Sequence, residues 1–328
     1  MRPKVIWSLL KETFNEWSED KAPRLGAALA YYTIFSLAPL LIIVTGIAGL
    51  IFGEQAARGQ IVAQLRETAG EPTASAIEEL LKNTQETGGG SLAAILGLAL
   101  LLFGATGMFV QLQDALNTIW KVTPKPGRPI LSMLRDRLLS FALVVGTAFL
   151  LLLLLVVSAA LAALNRFMPP NAVPGDTHGW QVINALVSFA FCTLLFAMIY
   201  KILPDVRIAW RDVWTGAAVT ALLFTAGKYL LSLYLGQSST TSAFGAAASL
   251  VIVLLWVYYS AQILLFGAEF TRAYADRFGS QVCPTENAVR ITPEQLARQG
   301  MPRREDIEAA VRSARPADPN AVSGQRCI

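Results

Sequence analysis

Between Arg24 and Phe52 the chain reads RLGAALAYYTIFSLAPLLIIVTGIAGLIF, and from Leu25 onward the stretch carries no charged residue. A helix needs ~20 apolar residues to cross ~30 Å of hydrocarbon, so this stretch is long enough to span a bilayer. Lys21 and Arg24 stand just before it, and Gly53 and Glu54 close it. It reads as a membrane helix entered from a basic, cytoplasmic side. Pro39 falls in its middle, removes a backbone donor and predicts a kink that can serve as a hinge.

The composition agrees with that stretch. Of the 328 residues, 15% are charged and 54% hydrophobic, whereas about 25% of a soluble domain is charged. The net charge of +4 is distributed loop by loop, as membrane topology requires and a nucleic-acid face does not. Three cysteines, Cys192, Cys283 and Cys327, give no disulfide framework. Residues 1–23 are charged throughout and lead straight into a full-length span, so no cleavable signal is expected.

Five more apolar stretches follow, at residues 91–113, 138–164, 180–203, 213–235 and 243–270. Ahead of the first span, Ile6, Leu9, Leu10, Thr13, Phe14 and Trp17 recur at helical spacing. That predicts an amphipathic helix over 4–20 lying on the inner leaflet, with Trp7 and Trp17 at headgroup level. The polar segment 53–90 predicts two short helices, 54–68 and 72–86, the second with Pro72 in its first turn and Ile77, Leu80 and Leu81 on one face. Gly97, Gly104 and Gly107 permit close helix approach in the second span, and its helical pattern runs on through Asp114, Asn117 and Trp120. The only histidine, His178, falls in a short loop at 165–179.

Lysine and arginine set the orientation. Twenty-two of the 27 fall on the side of the termini, four on the other, and Lys228 lies within a span. The expected fold is therefore all-α: a polytopic membrane protein with six transmembrane helices and both termini cytoplasmic. Residues 1–24 form the cytoplasmic amphipathic helix, and 25–275 the six-helix domain with an extracytoplasmic helical loop at 53–90. Residues 276–328 form a cytoplasmic, largely disordered tail, with a short helix near 303–314.

Ionisable groups at membrane depth are costly and mark candidate sites. Lys228 is the clearest. It either snorkels to the outer headgroups or faces the bundle and binds an anionic group, with Ser239 and Thr240 supplying hydroxyl donors nearby. Tyr32 and Ser36 share one helix face ahead of Pro39, and either line a cavity or bond to neighbouring backbone. Arg24, Asp114 and Glu269 sit at the cytoplasmic rim. Glu269 is placed to meet Arg24, Arg137 or Arg272, as a structural ion pair or as part of a proton relay, and is too far along the bundle to pair with Lys228. With one histidine, no Cys-x-x-Cys and no His-x-x-x-His, no metal site is expected. There is no phosphate loop and no G-x-S-x-G elbow, so no catalytic residue, cofactor or enzyme activity is expected.

Four stretches carry a family resemblance: Ala28-LAYYTIFSLAPLL-Ile42, Ala115-LNTIW-Lys121, Tyr200-KILPDVRIAWRDVWTGA-Ala218 and Leu255-WVYYSAQILLFGAE-Phe270. As a set, over residues 5–275, the chain resembles the YihY/BrkB family of bacterial inner-membrane proteins. It departs at Ser242-Ala243-Phe244-Gly245, where many relatives look like Ser-x-Tyr-Gly. Members have often been labelled ribonuclease BN, but a zinc-dependent nuclease needs a histidine-rich cluster and His178 stands alone. The resemblance also implies serum resistance and movement of lipids or lipopolysaccharide precursors across the inner membrane. The expectation is a transporter or flippase of an anionic lipid or other amphiphile in envelope biogenesis. The alternative is a non-transporting scaffold that recruits envelope-biogenesis partners. Membrane lipids are the expected partners, association with further copies of the chain stays open, and no nucleic acid is expected.

Overall fold

Helix α1 (Pro3–Glu19) and helix α2 (22–35) of the computed structural model meet at Asp20 and Lys21. Pro3 opens α1, where a missing N–H leaves no hydrogen bond unmade. Lys21 takes a left-handed backbone, φ 52°, which breaks the helical ladder and turns the chain. The structure describes residues 3–35, 59, 61–63, 65–66, 69–86, 107–125, 176–237, 248–279 and 282–292. Residues 36–58, 87–106 and the expected span at 138–164 lie outside the described residues, and so does the helix expected near 303–314. Ser36, Pro39, Ser239 and Thr240 lie outside them as well.

The remaining elements follow in order: α3 (Glu71–Glu86), α4 (107–119), β1 (Val122–Pro124), α5 (Asp176–Ile202), β2 (Val206–Arg207), α6 (Trp210–Gln237), α7 (Ala248–Phe278), β3 (Cys283–Pro284) and β4 (Ala288–Arg290). Helix dominates, as the apolar periodicity demands. Gly70, at φ 86°, parts α3 from the helical residues before it, which matches the two short helices expected in the 53–90 loop. Ile77 of α3 is buried against Ile252 and Val253 of α7. Helix α5 opens four residues before the expected span, so His178 sits in its first helical turn instead of a loop. Asp176 and Thr177, residues suited to a helix start, carry the helix back that far.

Among the described residues, two helices are long and apolar enough to cross a membrane, at Ala185–Ile202 in α5 and Ser249–Phe278 in α7. Helix α6 packs between them and exposes Leu222, Leu230 and Leu233 on its outer face. The α6–α7 contact is antiparallel and very close. A Cβ added at Gly216 would collide with Thr271, and one at Gly267 with Thr220 and Tyr200. Small residues on both helices therefore let the backbones approach, which is how helices associate when lipid supplies no hydrophobic drive. Tyr200 of α5, fully buried, closes this joint by donating its hydroxyl to the Leu264 carbonyl at 2.7 Å, with Thr220 Oγ1 3.1 Å away.

The segment expected to be disordered beyond residue 275 differs from that reading. Helix α7 continues to Phe278, and residues 282–292 return as two short strands. Strand β4 pairs antiparallel with β1 (Val122 opposite Arg290), and β3 pairs with β2 (Val206 opposite Pro284). Ile291 N–H bonds the Lys121 carbonyl at 2.9 Å, and Thr285 N–H bonds the Asp205 carbonyl at 3.0 Å. Strands of two or three residues have too few side chains to show an alternating pattern, so their polar composition reads as tail. Distant backbone partners order them.

Candidate functional site

Leu9 of α1 is buried against Phe270 and Ala273 of α7, and that apolar contact fixes the first helix along the last third of α7. Docked this way, Glu16 Oε2 accepts from Arg272 Nη2 at 2.6 Å, and Arg277 Nη1 donates to Ser8 Oγ at 2.9 Å. The turn after α1 then carries Asp20 inward, where its side chain is 3% exposed as a residue. From the end of α4 comes Lys121, also left-handed at φ 54°, with its carbonyl held by β4 through Ile291. Lys121 Nζ donates to Asp20 Oδ1 and lies 3.7 Å from Glu16 Oε2. Glu269 completes the group from α7. It is 0% exposed, with Oε2 3.3 Å from Arg272 Nη2.

Glu16, Asp20 and Glu269 thus bring carboxylate oxygens within 4.8 Å of one another. Lys121 and Arg272 thread between them. Three carboxylates would suit a hard cation, yet two protein cations already face the same oxygens. The chemistry of this donor set is that of a buried ion-pair network. Such a network is held in place by neighbours, because Asp20 and Glu269 have lost their water and only close partners offset that cost. The two non-glycine residues with positive φ among the described residues, Lys21 and Lys121, both flank it. Backbone strain of this kind gathers where a structure is built to hold a particular arrangement.

Beside the network, Asn117 of α4 clasps the turn after α5. Its Nδ2 donates to Asp205 Oδ2 at 3.0 Å, and its Oδ1 accepts the Asp205 N–H at 2.8 Å. Gly26 of α2 lies so close to Gln262 of α7 that a Cβ would strike the amide. The stretches on which the family resemblance rests therefore converge here, through α2, the end of α4, the α5–α6 turn and α7.

Other residues singled out from the sequence are dispersed. Glu269 meets Arg272, one of its three expected partners, while Arg24 and Asp114 remain exposed. Tyr32 packs its ring on Gly107, so close that a Cβ there would fall 2.6 Å from Tyr32 Cδ1, and its neighbour Thr33 bonds back to the Leu29 carbonyl at 2.7 Å. Both serve helix packing. Lys228 is half-buried on α6, its ammonium 5.4 Å from the Tyr229 ring centroid and close enough to α5 for its charge to act on Cys192. Adjacent Gly227 faces Tyr259 and Ile263 of α7. That level is about ten residues, or ~15 Å of helix, from Glu269, so the two charges are apart as expected. Glu16, Asp20 and Lys121 were not singled out. The available signal was their placement, since all three are charges within ten residues of an apolar stretch.

The Virulence factor BrkB family model matches residues 13–292. A UPF0761 membrane protein of Pseudomonas aeruginosa is 30% identical over 278 residues, covering 79% of this chain and 63% of that protein. This chain therefore spans about 63% of the length of that relative. A UPF0761 membrane protein of Psychromonas ingrahamii is 26% identical over 273 residues, 82% of this chain and 88% of its own. One of Mannheimia succiniciproducens is 26% identical over 285 residues, 83% of this chain and 93% of its own. No solved structure matches.

Proposed function

The chain belongs to the Virulence factor BrkB family of membrane proteins, and from that premise we propose that it carries an anionic lipid or similar amphiphile across the bacterial inner membrane. In this reading it has six spans with both termini cytoplasmic, works as a transporter or flippase in envelope biogenesis, and performs no catalysis. The observation that carries it is Lys228. It is half-buried on an otherwise apolar stretch of α6 and close enough to α5 for its charge to act on Cys192. A lysine at the centre of a span costs roughly 2.5–3.5 kcal/mol on insertion scales. A phosphate-bearing headgroup visiting the α5–α6 interface would offset that cost. Ser239 and Thr240, just beyond α6, would add hydroxyl donors, and Pro39 would let the first span move.

The test is lipid translocation in proteoliposomes, with a fluorescent anionic phospholipid and a quencher confined outside. Quenching beyond that of empty liposomes is expected for the wild type and is expected to fall to the empty level in Lys228→Ala. The scaffold reading has its own support in α1, which docks by one face and leaves Trp7 72% and Phe14 56% exposed. Folded protein that moves no lipid would favour it.

A further inference from the structure

Asp20 Oδ2 and both carboxylate oxygens of Glu269 are buried and have no hydrogen-bond donor among the described residues. Burial of an acceptor without a donor is costly, and for a carboxylate more so. Arg272 is 3.3 Å from Glu269 but makes an ion pair without hydrogen-bond alignment. Meanwhile Asp20 and Glu269 bring carboxylate oxygens within 4.8 Å of each other. Two ionised carboxylates have no proton to place between them, so facing acceptors repel. One proton turns that contact into a hydrogen bond.

The charges lead to the same place. Among the described residues, the charged groups facing Glu269 are Glu16 on α1, Asp20 on the α1–α2 turn, Lys121 after α4 and Arg272 on α7 itself. Tyr200 of α5 and Thr220 of α6, which abut nearby Gly267, are neutral and engaged with the Leu264 and Gly216 carbonyls. Asp20 and Glu269 are both buried carboxylates held against each other, and a proton on one of them removes that like-charge contact.

We propose that Glu269 is a proton-binding site: it carries a proton at neutral pH and donates it to Asp20 Oδ2, whose other oxygen accepts from Lys121. The assignment to Glu269 follows from the partners. Asp20 already has an ammonium on Oδ1, whereas Glu269 has no aligned donor on either oxygen. The site joins four separate segments, so gain or loss of this proton changes the charge of the joint that seats α1 on α7. The inference is independent of the transport reading, since it concerns one carboxyl and its neighbours.

Infrared difference spectroscopy on the purified full chain at neutral pH tests it through the C=O stretch of a protonated carboxyl. Glu269→Gln keeps the side-chain shape and supplies an N–H to Asp20, so it is expected to stay folded while losing one carboxylic-acid band. Asp20→Asn removes the negative charge that holds the proton, and the same band is expected to disappear. Identical wild-type and Glu269→Gln spectra in this region would overturn the proposal, as would an unshifted band in Asp20→Asn. Adding Mg2+ or Ca2+ to chelator-treated protein is expected to leave the wild-type band unchanged. Its loss on cation addition, in wild type only, would make the triad a cation site and overturn the proton assignment.

Discussion

At the scale of single residues, Arg272 holds the most. It bonds Glu16 of α1 and lies against Glu269 of its own helix, with its side chain 11% exposed. Removing one member of a buried ion pair costs about 3–5 kcal/mol, because the partner keeps its charge without compensation. Glu16 keeps part of its water, its side chain being 30% exposed, so Arg272→Ala is expected to lower thermal stability in detergent by less than that. Arg272→Lys should recover part of it, since a point charge replaces the guanidinium fork. How legible this was depends on sequence distance. Glu269 and Arg272 are three apart on one helix, so their pairing could be read from spacing alone. Asp20 and Lys121 are 101 residues apart. No local pattern links a residue before one apolar stretch to a residue after another; only the docking of α1 on α7 brings them together.

At the scale of elements, the last three apolar runs fall within helices, whereas the strands had no counterpart in the sequence reading. Helices α5, α6 and α7 fall where hydropathy put them, and α6 and α7 also extend into charged residues that hydropathy excludes. The glycines show which contacts matter. Gly267 abuts Thr220 and Tyr200, while a Cβ at Gly59 would meet nothing within 4 Å. Gly267→Ala is therefore expected to destabilise the protein by about 1–3 kcal/mol through overpacking. Gly59→Ala is expected to be neutral or slightly stabilising, because alanine favours helix. Thermal unfolding of the two variants side by side checks this. Equal effects would mean that the close α6–α7 approach is not what Gly267 serves. The strands β3 and β4 had no sequence signal because their order comes from distant backbone partners at Val206 and Val122.

At the scale of the molecule, the α1–α7 joint and Lys228 lie at different levels of one bundle, linked by the tight α6–α7 seam. Lys228 and the polar joint are therefore too far apart to neutralise each other. The family and the membrane character were legible in four short stretches; the function was not, because Lys228 fits either snorkelling to headgroups or binding an anionic group. The deciding measurement compares translocation of anionic and zwitterionic fluorescent lipids of equal chain length by the reconstituted protein. The account predicts faster movement of the anionic lipid in the wild type and no such preference in Lys228→Ala. Equal rates for both lipids in the wild type, or a preference that survives the substitution, would contradict it.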